Sequence, residues 1–306
     1  MIWALATLAA LAAGAYPLSE WLRRPVAEAR AAAPGAMAAL PSGCTHYRWH
    51  GPADGPVVLC LHGISTGGWF MDSTAETLAR LGYRVLVPDL YGRGLSDRPP
   101  GRQSSAMLIG QIDELLAALG VTGRLGVLGF SMGGAMATAF AAARPDLVER
   151  LILIAPAGLG LKMPWAVALA RALPGLADWL VRVPGGALVR LVARRYGRAR
   201  ALPAAVIEAQ VAETRYRGFL PAMLSSLRGL LAEDLGPAHR RLATTGMPVL
   251  AIWAERDELI APAAAQRLAA LNPGAVQITL AGAGHALPIT HAAEVARALA
   301  GVLPCR

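Results

Sequence analysis

The sequence predicts an α/β protein built around a mostly parallel sheet with helices on both faces. Apolar runs of strand length recur from Thr45 onward, and they are continuous rather than alternating, as expected for strands buried on both faces. Helical stretches separate these runs, which is the order typical of a doubly wound fold. The 306 residues and the hydrophobic content of 55% suffice for a large core.

Six runs are predicted to be strands, and helices are predicted between them. The strands are Val57–Leu61, Arg84–Val87, Leu125–Phe130, Leu151–Ala155, Val249–Trp253 and Val276–Leu280. The clearest helices are Asp72–Leu81, Ser105–Leu119 and Ala263–Leu271. A long interval separates the fourth strand from the fifth, and its many Pro and Trp residues and lack of strand patterns predict a helical insertion.

These patterns divide the chain into four parts. Residues 1–22 form an N-terminal hydrophobic segment, and residues 23–44, rich in Ala, Pro and Gly, are predicted to be a linker. Residues 45–156 and 242–306 are predicted to form the α/β core. Residues 157–241 are predicted to form a helical cap over the sheet.

The N-terminal segment Met1–Leu18 is almost wholly apolar, and three interpretations remain open. A membrane anchor fits the flanking Trp3 and Trp21, and the following arginines would leave the main domain cytoplasmic. A cleaved signal fits the small residues Ala13–Ala15, with cleavage near Ala15 and export to the periplasm or the medium. The third interpretation is an Ala-rich helix packed on its own domain.

The charge of the chain limits the classes of partner that it is expected to bind. The net charge of +9 is carried almost wholly by Arg, with Lys162 the one lysine, and it permits contact with an anionic membrane surface. No nucleic-acid motif is present, so nucleic acid is not expected as a partner. Cys44, Cys60 and Cys305 lack metal-ligand spacing, and neither a metal nor a cofactor is expected.

The motif Gly129-Phe130-Ser131-Met132-Gly133 lies where a predicted strand meets a predicted helix. The G-x-S-x-G pattern at such a junction is typical of a nucleophile elbow. The turn is so sharp that its neighbours must be almost without side chains, which explains Gly129 and Gly133. Ser131 is therefore the candidate nucleophile.

A serine hydroxyl needs a base, and the base needs a carboxylate. His285 follows a Gly-rich end of the last predicted strand, and Asp257 follows the strand before it. Both lie at the carboxyl edge of the sheet, as Ser131 does, and the order Ser131, Asp257, His285 is that of a hydrolase triad. Glu255 and Glu258 are nearby alternatives for the acid.

Two backbone N–H groups are candidates for an oxyanion hole. Gly63 lets the chain turn after a strand so that the Ile64 N–H faces the site, and Met132 follows the nucleophile. His62 is expected to order this turn rather than to act as a base. Asp89 begins a Gly-rich loop, and this setting indicates a loop organiser rather than a catalytic acid.

The chain resembles serine hydrolases of the α/β-hydrolase fold, in the capped esterase, lipase and C–C hydrolase group. From about Val57 onward the resemblance rests on Leu61–Gly63, Asp89–Asp97, Gly129–Gly134, Trp253–Asp257 and Gly282–His285. The Gly-x-Ser-Met-Gly-Gly elbow is similar to that of monoacylglycerol lipases. Ala254 and Thr290 depart from the Gly and the acid common in relatives. Epoxide hydrolases and haloalkane dehalogenases of this fold need Asp at the elbow, so Ser131 argues against both activities.

The resemblance implies an esterase or lipase that acts on an apolar acyl ester, such as a monoacylglycerol or a lysolipid. C–C hydrolysis of ring-cleavage products is the alternative, and a non-catalytic receptor is a third. The aromatic residues expected to line the substrate pocket are Trp69, Phe70, Trp165 and Trp179. The alternative is that the first two anchor their loop and the last two pack cap helices on each other. The stripe Arg190, Arg194 and Arg198 shares one helical face, which is either a solvated face or a surface that contacts an anionic membrane.

Overall fold

A single sheet of eight strands forms the centre of the molecule. The computed structural model describes residues 1–31, 33–162, 168 and 171–303, apart from six side chains of the first helix. The strands are β1 (Ala36–Leu40), β2 (Gly43–His50), β3 (Val57–Leu61), β4 (Arg84–Pro88), β5 (Leu125–Phe130), β6 (Val148–Ile154), β7 (Val249–Ala254) and β8 (Val276–Leu280). Their order across the sheet is β1-β2-β4-β3-β5-β6-β7-β8.

Strands β3 to β8 are parallel, whereas β1 and β2 are antiparallel to their neighbours. This arrangement confirms the predicted α/β fold, and the six predicted strands correspond to β3 to β8. The structure differs from the predicted linker, because β1 and the start of β2 lie within residues 23–44. The sequence Ala36–Leu40 has weak strand propensity, and pairing with β2 along one edge holds it in the sheet.

Helices cover both faces of the sheet. They are α1 (Ile2–Trp21), α2 (Ala27–Arg30), α3 (Asp72–Arg80), α4 (Ser105–Ala118), α5 (Met132–Ala143), α6 (Pro174–Arg182), α7 (Gly185–Ala199), α8 (Ala204–Glu213), α9 (Phe219–Arg228), α10 (Gly236–Thr245), α11 (Ala263–Leu271), α12 (Leu287–Thr290) and α13 (Ala292–Ala300). Helices α4, α5, α10 and α11 bury apolar side chains on one face. Helices α3 and α13 do so on the other.

Helices α6 to α9 lie between β6 and β7, where the sequence predicts the cap. Helix α10 begins within the range predicted as cap, but it packs on α5 and buries Leu242 in the core. The helical layer above the sheet therefore ends before α10. The reason is that α10 is amphipathic and carries an apolar face toward the sheet layer, as a core helix does.

The C-terminal end of α1 is tied to the elements between β6 and β7. The Glu20 carboxylate accepts a hydrogen bond from the Gly218 N–H at 2.8 Å, and Arg217 donates to the Glu20 and Trp21 carbonyls. The Arg182 guanidinium lies 4.2 Å from the centre of the Tyr16 ring. In the described part of the chain, no helix combines the length and apolar composition that a membrane crossing requires.

A buried carboxylate joins the helices above the sheet to the core. Glu213, at the end of α8, accepts hydrogen bonds from the Trp69 indole N–H at 3.2 Å and from the Gly94 N–H at 3.0 Å. Burial, together with the charge of Asp89, raises the pKa of Glu213 from 4.5 to about 7, although the Arg98 charge and these hydrogen bonds act in the opposite direction. The Glu213 carboxyl therefore changes charge near neutral pH in the folded protein.

Glu213 makes the stability of the fold sensitive to pH. Because its pKa is higher in the folded than in the unfolded chain, its favourable contribution is complete below about pH 4.5 and is lost as the pH rises toward about 7. The loss amounts to at most about 3 kcal/mol in the free energy of unfolding. We expect Glu213→Gln to lose less stability than the wild type between pH 5 and pH 8 in thermal denaturation.

The matched control is Glu208→Gln, which changes a solvent-exposed carboxylate on the same helix. Its stability should follow the wild-type pH dependence. Parallel curves for the wild type and Glu213→Gln would show that Glu213 does not titrate in this range.

Candidate active site

The turn between β5 and α5 holds Ser131 in a conformation that is unusual for a residue with a side chain. Its backbone has φ 54° and ψ −117°. An added Cβ on Gly129 would lie 2.1 Å from the Gly133 carbonyl oxygen, and one on Gly133 would lie 2.2 Å from the Leu61 carbonyl oxygen. Only glycine fits at these two positions, as the sequence predicts, and the turn therefore presents Ser131 at the carboxyl end of β5.

The three predicted catalytic side chains lie in one hydrogen-bonded chain. His285 Nε2 is 2.9 Å from Ser131 Oγ, and His285 Nδ1 is 2.9 Å from Asp257 Oδ2. These contacts are satisfied when Nδ1 carries the ring proton and Nε2 accepts from the serine hydroxyl. The side chains are almost fully buried, and the Phe130 ring lies 5.1 Å from the His285 ring. Their catalytic role stays a prediction.

The two alternative acids accept hydrogen bonds from the backbone of the loop that carries His285, here called the histidine loop. Glu255 accepts a hydrogen bond from the Gly282 N–H at 2.7 Å, and Glu258 accepts one from the His285 N–H at 3.3 Å. Glu258 also pairs with Arg200 and contacts the Tyr196 hydroxyl, both near the end of α7. Asp257 is therefore the carboxylate of this loop that meets the imidazole, and its neighbours hold the histidine loop in place.

The environment of Asp257 favours its ionised form. Burial alone would raise the pKa of this carboxyl, but hydrogen bonds from His285 and from the Leu259 and Ile260 N–H groups outweigh burial and lower the pKa. An ionised carboxylate at this position orients the imidazole and stabilises its protonated form. The pair can therefore serve a proton transfer at Ser131.

The candidate oxyanion groups lie beside Ser131. Ile64 lines the cavity that contains Ser131 and His285. Met132 is the first residue of α5, and an N–H in the first turn of a helix has no acceptor within that helix. The positive end of the α5 dipole points to the same place. The geometry brings both groups to the nucleophile, and their binding of an oxyanion stays a prediction.

His62 supports the oxyanion turn in its neutral form. Its Nδ1 lies 2.8 Å from the Gly63 carbonyl oxygen, and its Nε2 accepts from the Leu90 N–H at 2.9 Å. Burial lowers the pKa of His62 to about 4, despite the nearby Asp89 charge. Since the Gly63 carbonyl shares a peptide plane with the Ile64 N–H, His62 fixes the orientation of that donor, in keeping with the ordering role that the sequence suggests.

Asp89 organises the loop after β4 and lies outside the chain of Ser131, His285 and Asp257. Its carboxylate accepts hydrogen bonds from the Gly68 N–H at 2.5 Å and the Leu95 N–H at 2.8 Å, and it contacts His46 Nδ1 at 2.8 Å. Burial lowers the pKa of His46, but the hydrogen bond and charge of Asp89 outweigh it and raise the pKa. This geometry matches the loop-organising interpretation of Asp89.

A cavity of about 370 Å³ opens above Ser131, between the core and α7. Its lining is mainly apolar. The residues are Gly63, Ile64, Ser65, Thr66, Phe70, Phe130, Ser131, Leu188, Val189, Val192, Ala193, Tyr196, Leu202, Gln210, Leu259, His285 and Ala286. Leu188 and Val192 are also exposed to solvent, so the mouth of the cavity is apolar. The cavity can hold an apolar chain next to the serine hydroxyl.

The four aromatic residues that are predicted to line the pocket do not all lie at the Ser131 cavity. Phe70 lines the cavity at Ser131, whereas Trp69 lines a second cavity that also contains Glu213. The two rings meet edge to face, with 5.9 Å between their centroids, but they line different cavities. Both residues lie in the 3-10 turn Gly68–Met71. Trp179 lies on α6 and is not among the residues of the Ser131 cavity, and Trp165 lies outside the described residues.

The residues of α7 that line the cavity were not predicted from the sequence. Leu188, Val192 and Tyr196 recur every fourth residue, and this spacing is a signal that a helical pattern search would detect. The first two arginines of the predicted stripe bind side chains on or next to α8 instead. Arg190 donates to the Thr214 hydroxyl, and Arg194 pairs with Glu208 on α8. Within the described residues, no three His, Cys, Asp or Glu side chains converge as metal ligands.

The glycine at position 133 is expected to be essential to the fold. We expect Gly133→Ala to lower the free energy of unfolding by at least about 2 kcal/mol, because its methyl group would collide with the backbone of β3. The control is Gly110→Ala in α4, where nothing beyond the neighbouring residues and backbone of its own helix lies within 4 Å of the new methyl group. That variant should keep or gain up to about 1 kcal/mol. Urea denaturation measures both, and equal stability of the two would contradict this account of the turn.

Comparison with known proteins agrees with the fold. Residues 56–292 match the family model described as alpha/beta hydrolase fold. The chain is 31% identical over 229 residues to a cis-3-alkyl-4-alkyloxetan-2-one decarboxylase of Xanthomonas campestris pv. campestris, covering 70% of this chain and 74% of that protein. It is 27% identical over 255 residues to lipase 1 of Psychrobacter immobilis, covering 81% of this chain and 76% of the lipase.

A solved structure supports the same fold. The enol-lactonase of Burkholderia xenovorans LB400 superposes with a TM-score of 0.71 at 24% identity, covering 87% of this chain and 98% of the lactonase. The monoacylglycerol lipase-like subgroup is not singled out by these matches and stays a prediction. The family match over most of the chain, with the strand order and the elbow, shows that this protein is a hydrolytic enzyme that belongs to the α/β-hydrolase fold family.

Proposed function

We propose that the protein is a serine carboxylester hydrolase that acts on an apolar acyl ester. The observation that carries the proposal is the hydrogen-bonded chain from Ser131 Oγ through His285 to Asp257, with 2.9 Å at each of its two links. A hydroxyl activated in this way attacks ester carbonyls.

The proposed reaction has two halves. Ser131 Oγ attacks the ester carbonyl carbon while His285 Nε2 takes the hydroxyl proton, and the N–H groups of Ile64 and Met132 bind the oxyanion. The intermediate collapses as His285 returns the proton to the leaving alcohol, which leaves an acyl group on Ser131. Water, deprotonated by His285, then attacks this acyl group, and His285 returns the proton to Ser131 Oγ as the acid is released. Asp257 holds the imidazole and stabilises its charged form.

The apolar lining of the cavity supports an apolar substrate. Side chains of α7, together with Phe70, Phe130 and Leu259, leave space for an alkyl chain beside the serine. The names of two relatives agree with an apolar substrate, since lipases act on esters of apolar acids and an oxetan-2-one is a cyclic ester, here with two alkyl groups. We infer that the substrate is an alkyl ester or lactone.

The cavity offers less support for C–C hydrolysis. That reaction needs a cationic or strongly polar group to hold the carboxylate of a ring-cleavage product. Among the described residues, the lining of the Ser131 cavity contains no arginine or lysine. The first two arginines of the predicted stripe are engaged by Thr214 and Glu208.

The proposal predicts a complete dependence of ester turnover on Ser131. With a panel of p-nitrophenyl esters of increasing acyl length, Ser131→Ala should lower kcat by about 10⁴-fold or more on every ester. The control Ser73→Ala, on α3, should retain wild-type rates. Residual turnover by Ser131→Ala above about 1% would exclude this mechanism, and a preference for polar or charged acids would exclude the apolar substrate.

We propose further that the protein contacts a lipid surface through α1. The side chains of Trp3 and Trp21 are 85% and 69% exposed, and the end of α1 is bonded to the cap near Gly218. Exposed Leu188 and Val192 at the cavity mouth extend the apolar surface. Together with the net charge of +9, these features suit an anionic lipid surface.

Vesicle sedimentation tests this surface. At low salt the wild type should pellet with phosphatidylglycerol vesicles more than with phosphatidylcholine vesicles, and Trp3→Glu combined with Trp21→Glu should weaken binding at least about tenfold, because two large apolar side chains leave the interface. Val302→Glu changes an exposed apolar residue outside α1 and should bind as the wild type does. Wild-type protein that stays in solution with both vesicle types would refute the proposal.

A further inference from the structure

Arg93 is a fully buried arginine whose five N–H groups all find acceptors other than carboxylates. It lies in the loop after β4 that Asp89 organises. Its acceptors are the carbonyls of Ile64 at 3.1 Å, Tyr91 at 3.2 Å and Ala222 at 3.3 Å, the Gln103 side-chain oxygen at 3.3 Å and the Ser226 hydroxyl at 2.8 Å. One side chain thus joins the oxyanion turn, the Asp89 loop, the segment before α4, and α9.

The contact with Ile64 concerns the peptide next to the proposed oxyanion donor. His62 holds the Gly63 carbonyl, and therefore the peptide plane that carries the Ile64 N–H. Arg93 holds the Ile64 carbonyl, and therefore the following peptide plane. With both planes fixed, the backbone rotations on either side of Ile64 are restricted. The direction of the Ile64 N–H then depends on where Arg93 lies.

The position of Arg93 in turn depends on α9. Its Nη2 donates to the Ala222 carbonyl and to the Ser226 hydroxyl, two groups one turn apart on that helix. Both groups are buried, so water does not replace them. A shift of α9 therefore moves the guanidinium, and the guanidinium moves the Ile64 carbonyl.

We propose that Arg93 is a positioning residue that couples the position of α9 to the direction of the Ile64 N–H, the proposed oxyanion donor. This inference rests on the proposed function, since it concerns the same ester hydrolysis. Burying a guanidinium without a carboxylate is costly, and a core of hydrophobic residues would fill the space more cheaply. Five directed hydrogen bonds at the oxyanion turn give a reason for an arginine here.

Arg93 also keeps a positive charge beside the Ile64 carbonyl. Burial and the neighbouring Arg98 lower its pKa to about 9, partly offset by Glu213, so the guanidinium remains charged at neutral pH. A fixed cation in a dry site stabilises developing negative charge more than it would in water.

Three variants test the coupling. Ser226→Ala removes one acceptor of Arg93 on α9, and Arg93→Lys removes the planar set of donors while keeping a cation. Arg98→Lys is the control, because Arg98 is a partly buried arginine near the end of the same loop that donates to the Gly94 and Ser96 carbonyls and not to Ile64. For each, kcat and KM are measured on a p-nitrophenyl ester that the wild type hydrolyses, together with inhibition by an alkyl trifluoromethyl ketone.

We expect Ser226→Ala to lower kcat about 3- to 10-fold and Arg93→Lys about 30- to 100-fold, less than the loss of a whole oxyanion donor, with KM changed less than twofold. Affinity for the ketone should fall in proportion to kcat/KM, since its hemiketal oxygen needs the same N–H groups. A purely structural role would lower the melting temperature without this proportion. Arg98→Lys should keep kcat within twofold.

Two results would overturn the coupling. A folded Arg93→Lys with wild-type kcat and ketone affinity would do so. If Arg93→Lys does not fold, Ser226→Ala decides, and unchanged kcat in that variant would reject the link to α9. A wild type that hydrolyses no ester would defeat the proposed function and this inference together, whereas active wild type with unaffected variants would defeat the inference alone.

Discussion

The left-handed backbone of Ser131 holds only because the surrounding chain leaves no alternative. The Ser131 N–H donates to the Ile154 carbonyl, and the Ser131 carbonyl accepts from the N–H groups of Ala135 and Ala157. Gly129 and Gly133 approach neighbouring carbonyl groups so closely that no side chain fits. A strained residue persists where its neighbours over-determine it, and strain of this kind is common at functional sites. This turn fixes the position of the Ser131 hydroxyl. That position in turn determines where His285 and Asp257 must lie to form the hydrogen-bonded chain.

Around this turn, the fold assigns separate electrostatic roles to groups of the same chemical type. His62 is neutral, with one ring nitrogen donating and the other accepting, whereas both ring nitrogens of His46 face oxygen atoms and its pKa is raised. Asp257 meets the imidazole of His285, while Glu258, one residue later, binds the backbone of His285. His46, His62 and Asp257 are buried and Glu258 is partly buried, and each has a specific partner, which gives the site one arrangement.

Much of this arrangement could be predicted from the sequence, for identifiable reasons. Strands β3 to β8 are continuous apolar runs. The residues at the ends of these strands predict the elbow and the loops that carry Asp257 and His285. Strand β1 could not be predicted, because its alanines carry no strand signal and only pairing with β2 makes them a strand. The cavity lining was predicted only in part, since helix packing between β6 and β7 decides which faces of α7 and α8 turn inward. The network of Arg93 and Glu213 is equally hidden, because its partners are far apart in sequence.

The account stands on a covalent intermediate at Ser131, and trapping that intermediate tests it most directly. The wild type would be mixed with a slowly hydrolysed alkyl ester, quenched in acid during turnover, digested, and examined by mass spectrometry. We predict that the peptide containing Ser131 gains the mass of the acyl group, and that the gain disappears after the ester is consumed. Continued release of the acid during turnover with no acyl group on Ser131, or with the acyl group on another residue, would contradict the account.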